Sequence, residues 1–125
     1  WFRTQKSGAE INGFTNHFWN GITTIAFAKI ISGIIDSKLD IAGTFHIVPQ
    51  DIVSKYELLK ILADVYKRND IDLHEVQTNN LVDRTLITNY EENNLHFWRL
   101  AGYAEPPGIF QLIHDSQAIY SDLGF

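Results

Sequence analysis

An α/β domain with helices packed around a few short strands is the fold class this sequence predicts, on three observations. Apolar residues recur at the helical period in four segments, near 22–38, 54–68, 89–100 and 107–122. Short β-branched and aromatic runs lie between them, with Thr44 to Val48 the clearest strand. The 125 residues are 45% hydrophobic and 20% charged with only three Pro, and neither a repeat nor a linker divides them, so 1–125 reads as one folded unit rather than a disordered chain.

Residues 1–10 carry no periodicity. Ala9 to Thr15 reads as extended, with Asn12-Gly13 as a turn because both residues tolerate positive φ. A second Asn-Gly, Asn20-Gly21, closes the aromatic-rich run from Phe14 to Trp19. Ile22, Ile25, Ala26, Ile30, Ile31, Ile34 and Ile35 then mark a helix expected to be buried on most of its surface. The strand at 44–48 is stopped by Pro49. Ser54-Lys55-Tyr56-Glu57 is a capping box, in which hydroxyl and carboxylate each satisfy a free backbone N–H at a helix start. That helix presents Leu58, Leu59, Ile61, Leu62 and Val65 on one face and ends at Arg68-Asn69-Asp70. Ile71 to His74 alternates like a strand, Thr88 or Asn89 caps a helix that Gly102 terminates, and Pro106-Pro107 opens the last helix.

Composition removes several function classes. The greasiest stretch, Ile22 to Ile35, contains Lys29 and Ser32 and falls short of the roughly 18–20 apolar residues of a membrane helix, so the expectation is a soluble chain with no membrane partner. Acidic residues outnumber basic ones 15 to 10, and Lys67-Arg68 is the only adjacent basic pair, which argues against a nucleic-acid partner. The absence of Cys removes disulfides and thiolate chemistry, suits a reducing compartment and predicts a cytoplasmic location. No Met occurs, even at position 1, and the chain opens on Trp1-Phe2-Arg3 without a signal-peptide pattern; the expectation is a trimmed chain or a piece of a larger protein.

Few motifs carry chemistry. No glycine-rich phosphate loop occurs, so no cofactor-binding residues are expected in this chain. His17, His46, His74, His96 and His114 lack any metal-binding spacing, and no metal site is expected. Tyr56 and Lys60 have the four-residue spacing of a catalytic Tyr-x-x-x-Lys pair, yet they stand at the start of a helix with no upstream dinucleotide loop, where such a pair is a common exposed arrangement. Glu91-Glu92 complements a helix dipole, and no serine has the G-x-S-x-G context. The run Asn12 to Gly21, with three amides, an imidazole and three aromatic rings, has the composition of a sugar- or nucleotide-binding loop and equally that of an aromatic-anchored packing loop.

With Phe45-His46-Ile47-Val48-Pro49, Ser54-Lys55-Tyr56-Glu57-Leu58-Leu59, Val82-Asp83-Arg84-Thr85-Leu86 and Ala101-Gly102-Tyr103, that run resembles the C-terminal part of the dTDP-4-dehydrorhamnose reductase group, extended short-chain dehydrogenases acting on nucleotide sugars. The likeness covers nearly the whole chain from about Ala9 onward, in the same order. It implies the C-terminal portion of a Rossmann-type enzyme. In that family the N-terminal portion supplies the NAD(P) loop and the catalytic Tyr-x-x-x-Lys pair, and the C-terminal portion holds the nucleotide sugar. The chain is therefore expected to be inactive alone, with that N-terminal portion as partner, no catalytic residue of its own, and Tyr56 and Lys60 on a helix of the substrate lobe.

Carried over residue by residue, the resemblance implies a substrate-binding set of Asn16, His17, Trp19, Asn20, Thr23 and Arg84. The better-known members have Arg-Pro where this chain has Arg84-Thr85. The alternative is a stand-alone module that binds a sugar nucleotide or a protein partner without catalysis. A chain carrying only part of a sheet leaves an edge or an apolar face uncovered, which predicts self-association as a homo-oligomer.

Overall fold

The computed structural model describes residues 1–124 and shows a mixed α/β arrangement of five short strands and four helices. Strands β1 (Glu10–Phe14) and β4 (Asp72–Val76) run parallel in register from Glu10↔Asp72 to Phe14↔Val76. Between them the chain forms β2 (His17–Trp19), α1 (Thr24–Asp36), β3 (Val53–Ser54) and α2 (Lys55–Val65). After β4 come β5 (Val82–Arg84), α3 (Glu91–Leu100) and α4 (Ile109–Asp122). The second sheet has the order β3-β2-β5. No helix among the described residues is long and apolar enough to cross a membrane.

Helix α2 joins the two sheets. Its capping box is complete, with Ser54 Oγ accepting from the Glu57 N–H at 3.1 Å and Glu57 Oε2 accepting from the Ser54 N–H at 2.7 Å. One side of α2 places Leu59 against Phe2, Ile11 and Ile71, over the β1–β4 sheet. Another places Val65 against Val53, Ile109 and Ile113, where α4 closes over β3. A separate core of Ala26, Ile30, Phe97, Trp98 and Leu112 joins α1, α3 and α4. Only α3 and α4 pack on α1 extensively, so α1 is buried along one stripe rather than on most of its surface, and Phe27, Ile31 and Ile35 are exposed.

Three local expectations are corrected. Thr44 to Val48 is not a strand. No neighbouring strand pairs with it among the described residues, and the Val48 backbone is bound by side chains instead: its N–H donates to Asn94 Oδ1 (3.0 Å), and its carbonyl accepts from Asn94 Nδ2 (3.1 Å) and Trp98 Nε1 (2.8 Å). Asn12-Gly13 is not a turn but the middle of β1, where position 13 meets Tyr56 so closely that a Cβ would lie 2.6 Å from the tyrosine ring. The cap expected at Thr88 or Asn89 is displaced, because α3 follows Tyr90 without a side-chain cap; Thr88 Oγ1 accepts from the Tyr90 N–H at 3.2 Å.

The last helix, Ile109–Asp122, follows the proline pair and matches the expected segment near 107–122. Its first N–H, on Ile109, donates to Asp51 Oδ1 at 2.8 Å, a cap supplied from a distant part of the chain. Just beyond α2, Arg68 grips Asp70 through Nε and Nη2 at 2.8 and 2.9 Å. The same guanidinium donates to the Arg3 and Gln5 carbonyls, so it ties the N-terminal segment to the end of α2.

Two predictions follow from these contacts. Replacing Asn94 with Ala strips the Val48 N–H of its partner beside the buried Trp98, and urea unfolding should show a loss of about 1–3 kcal/mol. The hydrogen bonds from Arg68 lower the Asp70 carboxyl from 3.8 to about 2. Because the folded value lies below the unfolded one, this stabilisation is present above about pH 4 and is lost as pH falls through about 2. NMR titration of Asp70 should show the low midpoint, and Arg68→Met should return it toward the ordinary range.

Candidate functional site

Strand β2 organises the site because it is paired on both edges. Phe18 and Trp19 face Ser54 and Val53 of antiparallel β3, while His17, Phe18 and Trp19 face Val82, Asp83 and Arg84 of parallel β5. Register partners share a sheet face, so His17, Trp19, Val82 and Arg84 lie on one side. The capping box directly after β3 sets Lys55 at the first position of α2, where its ammonium stands 4.9 Å from the centroid of the Phe14 ring.

An open cavity of about 410 Å³ is lined by the aromatic residues Phe14, His17, Phe18 and Trp19, the cations Lys55 and Arg84, and Leu58 and Val82. No carboxylate lines it. Neither Lys55 nor Arg84 forms an ion pair among the described residues. Asp83, next to Arg84 in sequence, is held by Thr85 through its side chain and its backbone N–H (2.9 Å to Oδ1), which keeps the Asp83 carboxyl below the usual range. A cavity of this size with aromatic residues in its wall and two cations free of ion pairs suits an anion carrying a flat ring.

The predicted site residues divide into two groups. His17, Trp19 and Arg84 meet in the cavity. His17 Nε2 lies 3.1 Å from Thr78 Oγ1, and its ring is 4.6 Å from that of Phe14. The amides are committed to the backbone that returns past β2. Asn16 donates to the Thr78 and Asn80 carbonyls (2.8 and 3.2 Å) and accepts from the Thr78 N–H (3.2 Å). Asn20, buried, donates to the Leu86 carbonyl at 2.8 Å and accepts from the Leu86 N–H at 2.7 Å. These two clamps flank β5 and fix where Arg84 stands. Thr23 caps α1 through the Ala26 N–H (3.2 Å) and accepts from the Ser116 hydroxyl (2.9 Å), away from the cavity wall.

A second cavity, of about 470 Å³, includes Asn20 and Asn94 but also Asp51, Glu91 and Glu105. Three carboxylates disfavour an anion there, so charge rather than volume selects the smaller cavity. Comparison with protein-family models, curated proteins and solved structures gives no match.

Tyr56 and Lys60 lie together on α2, the Lys60 ammonium 5.4 Å from the Tyr56 ring centroid, while the tyrosine presses on Gly13 of β1. Of the parallel strands, β1 runs on to β2 and β4 to β5, whereas β2 leads through Asn20-Gly21 into α1. Phe14 and Phe18 are two of the three rings of the Asn12–Gly21 run, whereas Lys55 lies outside the substrate-binding set expected from the sequence. The capping box marks where α2 begins, but the pairing of Val53 and Ser54 with Trp19 and Phe18 brings Lys55 to the cavity, and two residues of strand leave no periodic signal.

Gly21 supports the Trp19 wall. A Cβ there would overlap the indole at Cζ2 and Cε2, so Gly21→Ala must push Trp19 aside. The expected outcome is a destabilisation of about 1–3 kcal/mol in urea, with the Trp19 indole N–H displaced in the NMR spectrum.

Proposed function

We propose that this chain is the substrate-binding portion of an NAD(P)-dependent nucleotide-sugar reductase of the dTDP-4-dehydrorhamnose reductase type, inactive on its own. The observation that carries the reading is the cavity lined by aromatic residues together with Lys55 and Arg84 and by no carboxylate. A nucleotide sugar offers the matching chemistry: a flat base for the aromatic wall, a diphosphate for the cations, and hydroxyls for polar groups at the rim. The Arg84 guanidinium, a planar fork without an acidic partner, suits two phosphate oxygens at once.

Within this reading the amides of Asn16 and Asn20 act through the backbone. They hold β5 at both ends so that Arg84 meets the ligand in one position. Cofactor binding and proton transfer belong to the N-terminal portion of the enzyme, in the cytoplasm, and no step of that chemistry is assigned to residues of this chain.

Calorimetry of the 125-residue chain with a thymidine diphosphate sugar tests the proposal. Arg84→Ala should weaken binding by about ten- to a hundredfold, the loss expected for a charge-assisted contact worth about 1.5–3 kcal/mol, while the circular dichroism spectrum stays unchanged because Arg84 is exposed. Equal dissociation constants would remove Arg84 from the site. No detectable binding by the unaltered chain would remove the reading itself.

A further inference from the structure

Resting on the nucleotide-sugar reading, we propose that Lys55 is a second phosphate-binding residue, which with Arg84 forms a two-point clamp selecting a diphosphate over a monophosphate. Val53 and Arg84 are both register partners of Trp19, on opposite edges of β2. Strands in a sheet stand about 4.8 Å apart, so β3 and β5 are separated by about 10 Å across β2. Lys55 follows the last residue of β3, and Arg84 is the last of β5. Two long cationic side chains thus rise from opposite edges of one strand into the same cavity. The two phosphates of a diphosphate engage one cation each, whereas a single phosphate leaves one of the pair unused.

The setting of Lys55 supports a ligand role. It occupies the first position of α2, where the helix end carries partial positive charge and an acidic residue is the favourable choice. Glu57, the carboxylate in that turn, is committed to the Ser54 N–H at 2.7 Å by the capping box. Lys55 makes a face contact with Phe14 and no ion pair among the described residues, which leaves its ammonium donors available. Lys55 and Arg84 thus bring two positive charges to one cavity, which the Glu57 carboxylate does not line. The two cations line one cavity although they are 29 residues apart in the chain.

Calorimetry at about 0.1 M salt with thymidine diphosphate, thymidine monophosphate and inorganic pyrophosphate tests the clamp. The unaltered chain should bind the diphosphate about tenfold or more tightly than the monophosphate. Lys55→Met, which keeps the stem over Phe14 and removes the charge, should weaken the diphosphate about ten- to a hundredfold and the monophosphate by less than about threefold, and Lys55→Arg should restore discrimination. If Lys55→Met binds the diphosphate like the unaltered chain, the clamp is overturned and the nucleotide reading stands. If pyrophosphate binds as tightly as the nucleotide and depends on Lys55, the clamp stands and the nucleotide reading falls. If none of the three probes binds, both are overturned.

Discussion

Strand β2 is paired on both edges, Phe18 and Trp19 with β3 and all three of its residues with β5, and this double pairing is the constraint on which the candidate site depends. A strand with two partners fixes three stretches of chain that are distant in sequence: its own, the two residues before α2, and the segment carrying Arg84. Each ladder is short, so the assembly relies on side chains to finish it. Asn16 and Asn20, immediately outside β2, bind backbone of the returning segment on either side of β5. A buried amide with both its oxygen and its nitrogen satisfied is costly to break, because the backbone groups it serves are left without water or partner.

Helix α2 converts this local order into a fold. It begins where β3 ends, covers the parallel β1–β4 pair with Leu59, and meets α4 through Val65. The capping box therefore does two jobs. It stabilises the helix start, and it holds the first helical residue, Lys55, at the cavity. Helix α4 is fitted to this arrangement by Asp51, whose carboxylate receives the Ile109 N–H ahead of a turn that has no side-chain cap of its own.

Charge separates the aromatic cavity from the one beside Asp51. The chain carries a net charge of −5, yet a charged ligand at the aromatic cavity meets Lys55 and Arg84 at close range, with the more distant acidic groups attenuated over a Debye length of about 8 Å in physiological salt. The cavity beside Asp51, Glu91 and Glu105 has the opposite sign. Net charge thus bears on polyanion binding to the whole surface and says little about a small anion held by two cations.

Local chemistry made much of the secondary structure legible in the sequence. The apolar period located four helices, and the capping box at Ser54 to Glu57 is present as written because its partners are three residues apart. His17, Trp19 and Arg84 could be singled out by residue type and by resemblance to a family. That they meet was decided by tertiary structure, through parallel pairing between residues about 65 apart. The same cause explains the corrections. Thr44 to Val48 has strand composition but no strand partner, and Asn94 and Trp98 bind Val48 in its place. Asn12-Gly13 has turn composition but pairs with His74 and Glu75. Propensity and capping act within a few residues and are set by the sequence alone, whereas ladder partners, buried amide clamps and the convergence of Lys55 with Arg84 exist only once distant segments have packed.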